Sequence, residues 1–149
     1  MPSTFSIRRR VEFSETDMAG IVHFSNFFRY MESAEHAFFR SLGHSIVTST
    51  TNPPVGWPRV HADCDYTKPL RFEDEVEIEL TVLEKRSRAL KHGFRFFKIS
   101  GEEREQVATG TIVAVCVQKG PDGTMGACPI PDEIASQIEA ATPEPQKGS

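Results

Sequence analysis

The chain has 149 residues and a formal net charge of −4, with 38% of residues hydrophobic and 26% charged. That suits one domain, is too apolar for a disordered chain, and leaves no transmembrane helix, since the longest apolar run is Ile112 to Val117. The negative charge argues against a general nucleic-acid binder, although a local basic patch can still meet a phosphorylated small molecule.

At the N-terminus, MPSTFSIRRR carries arginines with no apolar stretch behind them, so no signal peptide is expected. Residues Phe5 to Phe13 alternate, with Phe5, Ile7, Val11 and Phe13 on one face, and predict a half-buried strand. Arg9 falls on the apolar face and must lie at a sheet margin or pair with a carboxylate. Asn26 to Leu42 is the strongest helix signal, with Asn26 as the expected cap and Gly43 as a left-handed stop. Phe27, Met31, Ala34 and Phe38 form its stripe. Phe28, Tyr30, Ala37, Phe39 and Leu42 widen it, so the helix must be wrapped by other structure.

A Pro- and Thr-rich loop, Thr48 to Pro58, precedes the strand patterns. Arg59 to Tyr66 is the first strand. Pro69 and a Phe72–Glu73–Asp74 turn lead to Val76, Ile78, Leu80 and Val82, which alternate with Glu75, Glu77, Glu79 and Thr81. Leu90 to Ile99 and Val107 to Gln118 follow, joined by a charged hairpin turn, Ser100 to Glu105. The latter strand is apolar on both faces and expected to be central. Pro131 to Ala141 predicts a short terminal helix. Residues 142–149 read as a disordered tail behind a single domain, 1–141. The class is α+β: one long helix embedded in a curved antiparallel sheet of about five strands.

Cys64, Cys116 and Cys128 are an odd set without a C-x-x-C pair. Reduced thiols in a cytoplasmic protein are the expectation, with neither a disulfide framework nor a structural zinc.

The chemistry concentrates in E-T-D-M-A-G-I-V-H-F-S-N-F-F, which leads from the first strand into the helix. Asp17 lies in a loop ending at a helix N-terminus, where free N–H groups near Phe24 to Phe27 can hold the oxygen of a polarised carbonyl. A carboxylate beside them can attack an acyl group or activate water. Gly20 permits close backbone approach. From spacing alone the same Asp reads first as a turn residue, since Asp is common in turns. Phe24, Phe27 and Phe28 can shape an apolar acyl pocket, or simply pack the core. Glu32 and Glu35 border the apolar face of the helix and are read as structural, Glu32 in reach of His36. His61 and Asp63 share one side of a strand at metal-ligand spacing, but no third ligand is recognisable and no metal is expected. Lys85, Arg86, Arg88 and Lys91 surround a turn between two strands, which is either an ordinary solvated turn or a phosphate clamp.

The segment Val11 to Gly43 resembles the first third of hotdog-fold acyl-CoA thioesterases, most closely the 4-hydroxybenzoyl-CoA thioesterase type. Asp17, Gly20, Ile21, Val22, Asn26 and Phe27 carry the likeness. The stretch H-A-D-C-D-Y-T-K-P-L-R-F-E-D-E-V-E-I resembles the family's strand after the helix. The resemblance implies a hotdog fold and hydrolysis of an acyl-CoA substrate without metal or redox cofactor. It implies Asp17 as nucleophile or general base and the Phe24 N–H as carbonyl polariser. It implies a homodimer or homotetramer with active sites at the subunit interface, where His61 and Asp63 line the acyl pocket and Arg86 and Arg88 meet the nucleotide end of coenzyme A. A related branch has a His seven residues after the Asp. Here that position is Phe24, and His23, one residue earlier, borders the site as a structural group. Two rival classes are a hotdog hydratase or dehydratase, which needs an Asp–His pair, and a non-catalytic acyl-CoA binder.

Overall fold

The computed structural model describes residues 3–47 and 51–142. Residues 143–149 of the expected tail, and the start of the Thr48 to Pro58 loop, lie outside the described residues. The first strand, β1 (Thr4–Arg10), leads through a 3-10 turn (Phe13–Glu15) and a loop into the helix α1 (Asn26–Ser41). Then come β2 (Val55–Gly56), β3 (Arg59–Tyr66), β4 (Glu75–Lys85), β5 (Ala89–Ser100), β6 (Glu103–Val115), β7 (Val117–Lys119), β8 (Met125–Ala127) and a short helix α2 (Asp132–Ala135). The main sheet runs β1-β4-β5-β6-β3, every neighbour antiparallel, and α1 packs on one face of it. The expected α+β class, with one long helix on a five-stranded antiparallel sheet, is what forms.

The alternation in β4 sorts its residues cleanly. Val76, Ile78, Leu80 and Val82 are fully buried under the helix. Glu77 and Glu79 point away and are met by Arg8 from β1, Arg95 from β5 and Arg104 from β6, one strand further on. The helix presses Phe27, Tyr30, Met31, Ala34, Glu35, Phe38 and Phe39 into the core, while Arg29, Glu32 and Arg40 stay exposed. Gly110 on β6 marks the closest approach. A Cβ there would sit 2.4 Å from Met31 Cε and 2.8 Å from the Asp63 carbonyl oxygen, so only glycine lets the helix seat this deeply. Gly43, at φ +87°, ends α1 as expected: its N–H bonds the Arg40 carbonyl and the His44 N–H bonds that of Phe39, both at 3.0 Å. That is a Schellman stop.

Several boundaries depart from the sequence reading. The first strand ends at Arg10. Phe13 turns out to solvent and stacks edge-on against Phe72, because the chain must leave the sheet to reach the helix. Asn26 does not cap α1. Ser25 holds that position, and the Asn26 side chain donates instead to the Glu15 carbonyl at 2.8 Å. The strand expected over Val107 to Gln118 starts earlier and breaks at Cys116, where the chain switches into a second sheet, β2-β7-β8. β6 is an interior strand, as its apolar faces suggested, paired with β5 on one side and β3 on the other. The terminal helix shrinks to Asp132–Ala135, although Ile134 and Ile138 are buried as their spacing suggested.

Candidate active site

Glu15 organises the loop that carries Asp17. Its carboxylate accepts from the Glu12 N–H at 2.9 Å and the Tyr30 hydroxyl at 3.0 Å, and pairs with Arg9 at 2.5 Å. Arg9 also lies over the Tyr30 ring, which explains an arginine on the apolar face of β1. Burial, reinforced by the Glu15 carboxylate, pushes the Tyr30 hydroxyl well above its usual range, so it stays a donor. The Glu15 carbonyl accepts the His23 N–H at 2.9 Å as well as the Asn26 amide. Sequence pattern did not single out Glu15. Its spacing of three after Glu12 was the available signal, since the two residues form a capping box around the 3-10 turn.

Between those anchors the chain makes a tight reversal. The Asp17 N–H bonds the Ile21 carbonyl and the Gly20 N–H bonds the Asp17 carbonyl, both at 2.9 Å. Asp17 Oδ1 accepts the Ala19 N–H at 2.9 Å, and Gly20 adopts φ +80°. Glycine belongs there because L side chains rarely adopt that backbone. The reversal is strapped to the β3–β4 connection by the Val22 N–H on the Leu70 carbonyl at 2.7 Å.

An open cavity of about 550 Å³ sits where these parts meet. Asp17, Ile21 and Val22 line it from the loop, Phe24 and Phe27 from the start of α1, and Tyr66 to Arg71 from the end of β3. From His23 to Phe28, the Phe24 N–H alone has no acceptor among the described residues; its neighbours bond Glu15, His23, Phe24 and Ser25. Half-buried Asp17 and Phe24, whose amide is unspent, therefore line one cavity with mainly apolar walls. A larger hollow of about 760 Å³ lies across β1, β4, β5 and β6, but its one carboxylate, Glu79, is committed to Arg95 and Arg104.

The remaining sequence candidates distribute unevenly. Phe27 is buried in the cavity wall, edge-on to Tyr66 and Phe96. His23 is exposed and outside the lining; its Nδ1 meets Ser25 Oγ at 2.7 Å and its ring stacks on Phe24. His61 and Asp63 pair with each other at 2.7 Å on the exposed edge strand β3, and Thr111 also bonds Asp63. The Thr111 hydroxyl, then His61, hold the Asp63 carboxyl below the usual range. Arg86 and Arg88 sit in the β4–β5 turn, Arg86 paired with Glu84. That turn lies at the far end of the 11-residue strand β4 from Asp74, which bonds Val11 beside the Asp17 loop. The cavity's Tyr66 is in register with Ile78, so at roughly 3.3 Å per residue Arg86 stands about 25 Å along the sheet from it, and one chain does not bring the basic turn to its own cavity.

Residues 11–138 match the family model of the thioesterase-like superfamily. The chain belongs to that family. A 1,4-dihydroxy-2-naphthoyl-CoA hydrolase of Nostoc punctiforme is 28% identical over 139 residues, covering 91% of this chain and 87% of the relative. The same hydrolase of Crocosphaera subtropica is 36% identical over 73 residues, 49% of this chain and 53% of that one. A protein of Aquifex aeolicus is 44% identical over 80 residues, so the chain spans 62% of that relative's length. Among solved structures, a hypothetical protein of Aquifex aeolicus is 32% identical with a TM-score of 0.79, covering 91% of this chain and 99% of that one. The hotdog fold of 4-hydroxybenzoyl-CoA thioesterase from Pseudomonas sp. strain CBS-3 superposes with a TM-score of 0.78 at 20% identity, over 89% and 98% of the two chains. The likeness read from the Asp17 segment is thereby extended to nearly the whole fold.

Proposed function

We propose that this chain is an acyl-CoA thioesterase. One observation carries the reading: Asp17 and Phe24, whose N–H has no acceptor among the described residues, line a single cavity. The thioester oxygen accepts from Phe24 N–H, which draws charge off the carbonyl carbon as the tetrahedral intermediate forms. Asp17 either adds to that carbon or takes a proton from the water that does. The carbon–sulfur bond then breaks, and the thiolate takes up a proton; by the water route the free acid forms at once, by the nucleophilic route water hydrolyses the acyl–Asp17 anhydride, and either way acyl-S-CoA plus water becomes a free acid and CoA-SH. Ile21, Val22, Phe27, Tyr66 and Leu70 give the acyl group an apolar bed in which two aromatic rings join aliphatic side chains. That surface and the hydrolases among the relatives favour a hydroxylated aromatic acyl group.

A second copy completes the site in this reading. β3 is an edge strand, and most of its residues are exposed. In register, Arg59 aligns with Ala114 and Leu90, at the end of the sheet that holds the Arg86–Arg88 turn. Antiparallel pairing of two β3 strands sets that end of one copy beside Tyr66 of the other. Twofold pairing thus brings a basic turn and the His61–Asp63 strand alongside each Asp17 cavity.

The deciding experiment is thiol release from a panel of 4-hydroxybenzoyl-, 1,4-dihydroxy-2-naphthoyl-, gentisyl- and straight-chain acyl-CoA. Turnover is expected on the aromatic members. Asp17→Asn should lower kcat by about 10³ or more, the scale of losing the group that makes the new bond. An Asp17→Asn enzyme near wild-type turnover would remove Asp17 from its role.

A further inference from the structure

The Phe24 amide can polarise a carbonyl only if its direction is fixed, and the chain around it is held unequally. On the loop side, Glu15 holds both His23 and Asn26. On the sheet side, among the described residues, a single hydrogen bond reaches residues 23 to 26: the Tyr66 hydroxyl donates to the Phe24 carbonyl at 3.0 Å. The helical partner of that same carbonyl, the Phe27 N–H, stands at a long 3.3 Å. Phe24 itself is 62% exposed, so packing of its own ring does not fix it.

The Phe24 N–H lies in the His23–Phe24 peptide, whose carbonyl accepts the Asn26 N–H at 2.9 Å, and Tyr66 is well placed to brace the adjoining Phe24–Ser25 peptide from the sheet side. It closes β3 in register with Ala108, and the next two amides, of Thr67 and Lys68, both bond the Val107 carbonyl at 2.9 and 3.1 Å. Its ring lies edge-on to Phe27 with centroids 5.0 Å apart. The hydroxyl therefore comes from a braced strand end and reaches across the cavity to the start of α1. We infer that Tyr66 is a positioning residue for the thioesterase reaction, its hydroxyl locking Phe24 so that the Phe24 N–H points at the thioester oxygen. This rests on the proposed roles of Asp17 and Phe24. Burial raises the Tyr66 pKa to about 12, so the group remains a donor throughout the working pH range. Within this arrangement Tyr66 transfers no proton. It acts through the direction of one amide.

Tyr66→Phe tests this directly, because the ring and its packing stay and only the donor goes. With 4-hydroxybenzoyl-CoA, or whichever panel member turns over best, kcat should fall about tenfold. That lies between the ~5-fold of one ordinary hydrogen bond and the 10²–10³ of losing an oxyanion donor outright. KM should move less than about threefold, since the apolar bed is intact. A merely structural bond would leave the bound carbonyl unchanged, so the second readout is its Raman stretch. In the Asp17→Asn background the bound thioester carbonyl should be shifted below its solution frequency, and adding Tyr66→Phe should move it back up. A Tyr66→Phe enzyme with wild-type kcat and an unmoved carbonyl stretch, beside an inactive Asp17→Asn, would overturn the inference about Tyr66 alone. An active Asp17→Asn would bring down both readings.

Discussion

Glu35 offers a sharp test of the core beneath the site. It is 2% exposed, in the middle of α1. Its Oε1 accepts from Arg59 Nη2 at 2.8 Å, and its Oε2 lies 2.8 Å from His92 Nδ1. Burial alone would raise its pKa, but the His92 hydrogen bond and charge, with Arg59, outweigh it and hold the carboxyl below its usual range. Replacing it with leucine keeps the volume and removes both bonds. Hydrogen bonds to charged partners are worth about 1.5–3 kcal/mol each, and buried leucine returns about 2 kcal/mol of transfer energy. Arg59 keeps the Trp57 carbonyl at 2.6 Å and some solvent, whereas His92, whose Nε2 already lacks a partner among the described residues, is stranded. The net expectation for Glu35→Leu is a loss of about 3 kcal/mol, or roughly 6–12 °C in Tm for a chain of this size.

The pH dependence has a definite sign. A carboxyl with a lower pKa folded than unfolded adds stability that is complete above about pH 5 and fades as pH falls through the folded value. Urea melts of wild type and Glu35→Leu should therefore converge as pH falls below about 5. Removing the stranded partner as well, in Glu35→Leu/His92→Leu, should recover part of the loss. Wild-type stability in Glu35→Leu, or a gap that widens on acidification, would refute the account of this buried cluster.

Two further outcomes follow from the geometry. Gly110→Ala must displace Met31 and cannot displace the Asp63 backbone, so Tm should drop by the equivalent of about 2 kcal/mol, with partial rescue by Met31→Ala in a thermal melt. Arg86→Glu/Arg88→Glu should raise KM for acyl-CoA about tenfold and spare acyl-pantetheine, which lacks the nucleotide. If the turn serves its partner's cavity, mixing that variant with Asp17→Asn should regain about a quarter of wild-type turnover, from the one intact site in each mixed dimer.

The sequence made β4 and the stop of α1 legible because each rests on local physics: alternating burial in the first, a left-handed glycine in the second. Arg59 to Tyr66 was legible as a strand with its observed ends, and Asp17 as the residue beside the helix entry. Less visible were the partnerships made across the fold. Glu35 reads as a carboxylate on a helix border, and nothing local announces a histidine 57 positions away on β5. Tyr66 reads as a strand-end aromatic, and its hydroxyl acquires meaning only when the β3 end faces Phe24 from 42 residues away. The break at Cys116 escaped for a related reason. An unbroken apolar run satisfies one long strand as well as two short ones in different sheets.

In the proposed reading, the site's chemistry and its substrate contacts also separate in space. The Asp17 reversal, Glu15 and the entry to α1 form a self-contained unit, held by short-range bonds and strapped to the sheet at Leu70. Such a unit can place a carboxylate beside an amide with no help from a second chain. The basic turn, by contrast, is tied to the other end of the molecule: the Arg88 carbonyl accepts the Cys116 N–H and the Ser87 carbonyl that of Ile130, both at 2.8 Å. Two rigidly anchored features at opposite ends of one sheet cannot converge by loop motion. They can converge across a twofold axis along β3. Substrate affinity should then follow assembly, whereas the bond-making geometry resides in each chain.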